Sequence, residues 1–258
     1  LHVVGANARE CGDLITANAM LHEGVELARQ LGLTAALTFK LVTWSEVAIA
    51  VEDPVRARQL LEEAKLFNRI ELFENTDDYF ACNAWMLNHL GHVAMLQGDL
   101  QEARKFFELS LEQNAYLHSP QQRGWSASWD HQSLAELSLS SGAIHEVYTH
   151  VEESLNYLNT FGDRKIIAWS LMTLAGALVE DEEPEVAARM WGAAESIRDR
   201  LGVRIAPASR MNREQTLSRL HEQLGESRFN QLVASSSHMT LNEALAFARA
   251  AMHAHLAS

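Results

Sequence analysis

Cysteine, proline and glycine are scarce in this 258-residue chain, at 2, 4 and 13 residues. So few glycines and prolines exclude a collagen-like or low-complexity chain. Two cysteines exclude a disulfide scaffold, so Cys11 and Cys82 read as reduced thiols of a cytoplasmic protein. No long hydrophobic run occurs. The longest apolar stretch, around Leu33 to Val51, is interrupted by Lys40, Ser45 and Glu46, short of the roughly 20 apolar residues that a membrane helix needs. The sequence opens on Leu1, without an initiator Met, and runs straight into apolar residues, which suggests a piece of something longer.

Basic charge is also in short supply. The chain has 21 Lys and Arg against 34 Asp and Glu, a formal net charge of -13. The imbalance lies in residues 1–195, at -16, whereas residues 196–258 hold 8 Arg and 5 acidic residues, a balance of +3. An acidic body disfavours direct nucleic-acid binding, because affinity for phosphates rests on Lys and Arg.

The chain does have helical periodicity. Between its breakers, stretches of 12 to 20 residues carry apolar side chains at helical spacing, and no alternating strand-like segment appears. A register repeats within them. The small residues Gly5, Ser45, Gly91, Ala135 and Ala175 are each followed twelve positions on by Ala17, Ala57, Ala103, Val147 and Ala187. Four positions later stand Leu21, Leu61, Phe107, Val151 and Trp191. Turns fall between the small residues, at Gly12-Asp13, Asp53-Pro54, Gly98-Asp99, Gly142 and Glu183-Pro184. A small residue midway along one helix and another early in the next let two backbones approach, while the larger residue fills the adjacent groove. Successive units are 40, 46, 44 and 40 residues apart, longer than the roughly 34 of a minimal tetratricopeptide repeat.

The expected fold is all-α: an α-solenoid of five tetratricopeptide-like helical hairpins over residues 1–201, with C-terminal capping helices over 202–258. One capping helix should end at Gly225, and another should start at a capping box of Thr240 and Glu243. Leu1 occupies the fourth place of its repeat, so the first hairpin reads as truncated, its apolar face exposed, and homo-oligomer formation is expected.

Several stretches carry a resemblance. FGDRKIIAWSLMTLAG (161–176), ARMWGAAESIRDRLGV (188–203), LGESRF (224–229) and MTLNEALAFA (239–248) resemble the tetratricopeptide-containing C-terminal region of large bacterial signalling-ATPase transcriptional regulators, of LuxR-type or AfsR-like architecture. The resemblance implies a sensing and coupling module that binds an effector or a protein partner and reports to domains elsewhere in a parent chain. No GxxxxGK[ST] phosphate loop and no helix-turn-helix is found, so ATP hydrolysis and DNA contact are not expected of this segment.

Candidate binding residues lie on the first helix of each hairpin. Six positions before the small residue stand Phe39, Trp85, Trp129 and Trp169, either a stacking ladder on a concave wall or spacers between repeats. One turn on come Asn88, His92, Gln132, Glu136 and Met172, on the same side of the helix. The pairs His89/His92 and His253/His255 lack the pattern of a zinc site, and the acidic pairs Glu62-Glu63, Asp77-Asp78 and Glu182-Glu183 have no acid–base partner. No catalytic residue, metal or cofactor is therefore expected. The resulting expectation is a non-enzymatic sensor, with a purely structural protein–protein scaffold that takes no small ligand as the alternative.

Overall fold

The computed structural model describes residues 2–158, 163–202 and 207–256, and among them twelve α-helices and no strand. Ten helices form five antiparallel hairpins. They are α1 (His2–Glu10) with α2 (Leu14–Gln30), α3 (Thr34–Ala50) with α4 (Pro54–Phe67), and α5 (Thr76–Leu96) with α6 (Leu100–Asn114). Two more follow: α7 (Pro120–Ser141) with α8 (Ile144–Leu158), and α9 (Arg164–Glu180) with α10 (Pro184–Leu201). The cap consists of α11 (Pro207–Ser236), broken at Gly225 by a left-handed φ of 71°, and α12 (Leu241–Leu256). The expected all-α, solenoid-like arrangement of hairpins and cap is present.

The helices divide between two compact units whose boundary falls inside α7, between Ser126 and Ala127. In the first unit α2 packs on α3 and α4 on α5, and the first helices α1, α3 and α5 touch in succession. In the second, α8 packs on α9, and α12 lies against α8 and α10.

The five turns inside the hairpins share one design. In each, a residue with positive φ reverses the chain: Gly12 (78°), Glu52 (58°), Gly98 (78°), Gly142 (76°) and Glu182 (61°). The N–H of the next residue then returns to a carbonyl five residues back, as from Asp53 to Ala48 (2.9 Å) and from Asp99 to Ala94 (3.0 Å). Asp13, Asp53 and Asp99 cap the second helices by accepting from the backbone N–H groups of Thr16, Arg56 and Glu102. The two hairpins with Glu at the left-handed position are those whose second helix starts with proline, which fixes φ for the first helical residue and has no N–H to leave orphaned.

Packing follows the repeat register. Every residue at the two later register positions, from Ala17 and Leu21 to Ala187 and Trp191, is buried. A methyl group added at Gly5 would collide with Leu21, and one at Gly91 would enter the ring of Phe107, so glycine is what admits the large residue sixteen positions on. The second unit has a comparable junction. Gly192, in the WGAAE stretch, leaves no room for a side chain because Ser236 and the backbone of Val233 in α11 press on it. Burial of each large apolar side chain stabilises by roughly 1.5–3 kcal/mol.

The last helix of the cap, α12, starts as expected. Thr240 and Glu243 close a capping box, with Thr240 N–H donating to Glu243 Oε2 (2.7 Å) and Glu243 N–H to Thr240 Oγ1 (3.3 Å).

Candidate functional site

Two of the polar residues singled out on the first helices, Gln132 and Glu136, come together in the second unit in one buried network. Gln132 and Glu136 are one turn apart on α7, and both are almost fully buried. Ser170 Oγ donates to Gln132 Oε1 (2.7 Å), and Gln132 Nε2 donates to Thr173 Oγ1 (2.8 Å), tying α7 to α9. Gln132 Nε2 also lies 3.5 Å from Glu136 Oε1. The same oxygen, Glu136 Oε1, accepts from Ser209 Oγ of α11 at 2.5 Å. Burial drives Glu136 up to about 7, although the hydrogen bonds from Ser209 and Gln132 pull it back.

The first half of α11 lies on the first-helix face of α7 and α9. Asn212 Nδ2 donates to the Glu136 carbonyl (3.0 Å), and Ser140 Oγ donates to Asn212 Oδ1 (3.0 Å). A methyl group at Gly176 of α9 would come within 3.0 Å of Thr216 Oγ1. Ser209, Asn212 and Thr216 are spaced i, i+3 and i+7, one face of a helix, and all three are buried. Arg213, beside that face, pairs with Glu195 (3.2 Å) and lies over the Trp191 ring of α10.

Other sequence candidates are placed differently. Trp129 and Trp169 meet edge to face, with centroids 5.0 Å apart, and pack against the second unit's core beside the buried Met172. In the first unit, Trp85 stands between His89 (5.8 Å) and Trp125 (6.4 Å), and Phe39 packs edge-on against Phe73 (5.9 Å). Asn88 is buried. His92 stacks edge-on against Phe107 (5.2 Å), and burial, with His89 nearby, pushes its imidazole down to about 3, so it is neutral at physiological pH.

A second buried chain, absent from the sequence reading, crosses the first helices of the first unit. Glu46 on α3 forms an ion pair with Arg9 of α1, whose Nε lies 2.8 Å away, and lies 3.2 Å from His89 Nε2 of α5. Ser45 Oγ is 3.5 Å from His89 Nδ1, so a serine, a histidine and a glutamate stand in line. Ser45 has no exposed surface, and its hydroxyl proton goes to the Val42 carbonyl (2.6 Å), so the alignment joins helices and offers no open nucleophile. Glu46 could have been found from the repeat alone, since it follows Ser45 as His92 follows Gly91 and Glu136 follows Ala135.

His131 and His150 approach with Nδ1 atoms 3.2 Å apart, and burial lowers His131 to about 4. Among the described residues no group of three or more His, Cys, Asp or Glu could hold a metal ion. Likewise, no described helix is long and apolar enough to cross a membrane. No protein-family model and no curated protein matches the chain.

Proposed function

We propose that this chain is the non-enzymatic interaction module of a bacterial transcriptional regulator, in which the first-helix surface receives an effector or a protein partner. Its occupancy would bias an output domain elsewhere in the parent chain. The observation that carries this reading is α11. Its first half is a helix seated on α7 and α9 through Ser209, Asn212 and Thr216, against Glu136, Ser140 and Gly176. This face already holds a helix by small polar contacts and one close glycine approach. This favours a protein segment over a small molecule as the ligand. The acidic charge supports a module that leaves DNA contact to another domain.

Hydrogen exchange and thermal melting of the whole chain, against a panel of sugars, nucleotides and helical peptides, test the reading. A true ligand raises the melting temperature in a saturable way and changes protection on the first helices or on α11. If every compound and peptide leaves both measurements unchanged, the sensing role is lost.

A further inference from the structure

The connector between α4 and α5 differs from its counterparts in the first unit. Hairpin one reaches hairpin two through residues 31–33, whereas hairpin two reaches hairpin three through residues 68–75, which include a 3-10 turn at Ile70–Leu72. The longer path contributes to the 46-residue spacing between Ser45 and Gly91. Extra length in one repeat of a stack emerges at the surface, and such insertions often build a binding face.

Here the insertion completes a row of rings. Phe73 meets Phe39 on one side and Tyr79 on the other (5.9 and 5.7 Å), Tyr79 meets Phe80 (5.1 Å), and Phe80 stacks on Tyr116 (5.0 Å, 18° between planes). The row reaches water at Tyr116, which is 59% exposed; Leu72, next to Phe73 in the chain, and Ile70, three residues before it, are also exposed. Exposed rings with exposed apolar neighbours are the material of interaction sites.

The charge around the row has one dominant sign. Residues 69–79 hold Glu71, Glu74, Asp77 and Asp78 against Arg69 alone, with Lys40 beside Phe39 on α3. Arg69 lies 3.8 Å from Glu71, and Asp77 accepts from the backbone N–H groups of His118 and Ser119. Glu74 and Asp78 are exposed. Ring faces attract cations, and carboxylates beside them select the same sign.

We propose that this surface docks a basic, apolar segment of a partner protein, with Arg or Lys side chains over Tyr116 and Phe80 and paired with Glu74 and Asp78. The inference rests on the reading of the chain as a protein-binding module, but not on the face that α11 occupies.

The test is fluorescence anisotropy of the whole chain with a labelled peptide of alternating Leu and Arg, its Leu–Glu counterpart, and free arginine as competitor. The Leu–Arg peptide should bind, more weakly at about 200 mM than at about 50 mM salt, while the Leu–Glu peptide should not. Tyr116→Ala and the double change Glu74→Lys/Asp78→Lys should each weaken binding about tenfold, as expected for central contacts. The control Glu152→Lys/Glu153→Lys changes net charge equally at exposed positions of the other unit, and should leave affinity within about twofold. Competition by free arginine at matched concentration would show that a lone guanidinium suffices, and would overturn the apolar part of the proposal. Equal losses in the control and the surface variants, or no loss in either, would overturn the site and leave the module reading standing. No binding by either peptide would overturn the inference, while the exchange and melting measurements decide the module reading separately.

Discussion

Replacing Glu136 with glutamine should stabilise the protein above neutral pH and do little in mild acid. The carboxyl is buried beneath α11, and burial raises it to about 7. In the unfolded chain the same group ionises near 4.3. Between those values the unfolded state has released its proton and the folded state still holds one, so stability falls as pH rises through this window. Above about pH 7 the folded state must carry a buried carboxylate, and the whole penalty applies. At about 1.4 kcal/mol per pH unit, the gap corresponds to a penalty on the order of 4 kcal/mol. Glutamine keeps the shape and an acceptor for Ser209 but never ionises. Melting should therefore be nearly unchanged at about pH 4.5 and higher by roughly 8–16 °C at about pH 8, using 2–4 °C per kcal/mol for a chain of this size. Calorimetry of both proteins across the pH range reads the difference directly. A variant less stable than the parent by the same margin at both ends would mean that Glu136 is held ionised in the fold, and the burial reasoning would fail.

Three further outcomes follow from the packing and the turns. Glu52→Gly and Glu182→Gly should each stabilise by about 1 kcal/mol in chemical denaturation, because they relieve side chains held at φ 58° and 61°. Gly91→Ala should destabilise by about 1–3 kcal/mol through collision with Phe107, and Phe107→Leu in the same chain should recover part of that loss. Asp77 is held below the usual carboxylate range, mainly by His118 through its ring and backbone N–H, then by the Ser119 N–H. Its stabilising contribution is present above the unfolded value near 3.9 and is lost as pH falls through the lower folded value. Asp77→Asn should accordingly flatten the acid limb of the stability curve, as followed by circular dichroism.

The hairpins were readable because close packing excludes volume in a way that composition records. Gly5 and Gly91 are small where Leu21 and Phe107 must enter, and that pairing recurs at a fixed offset. Turn chemistry added a second, independent mark through Asp and Pro at the start of the second helices. The docking of α11 left no such trace. Ser209, Asn212 and Thr216 are the residue types of a solvated helix face, and nothing local states that the partners of Ser209 and Asn212 lie more than seventy residues away at Glu136 and Ser140. The link from Arg9 to Glu46 to His89 was hidden for a related reason. Its members occupy different places in their respective repeats, so no column of the repeat displays the pair, although Glu46 shares a column with His92 and Glu136. The aromatic column was visible in the sequence, but its meaning was not. Trp129 and Trp169 pack together against a core, while Phe39 joins a row completed by Phe73, Tyr79, Phe80 and Tyr116, which lie outside the column.

Hydrophobic contacts that repeat from level to level cannot tell one level from another. In the first unit the same register buries Ala57 with Leu61 and Ala103 with Phe107. The polar side chains along the seam are different at each level, and so act as an address. Arg9 answers Glu46 from one side and His89 from the other. A chain in which a copy of hairpin two replaced hairpin three would present threonine where His89 stands, since Thr43 precedes Ser45 as His89 precedes Gly91. Glu46 would then lose its approach to His89 within that seam. The repeats are thus alike in shape and unlike in identity, and the order of hairpins in this unit is written in a few polar atoms at its centre.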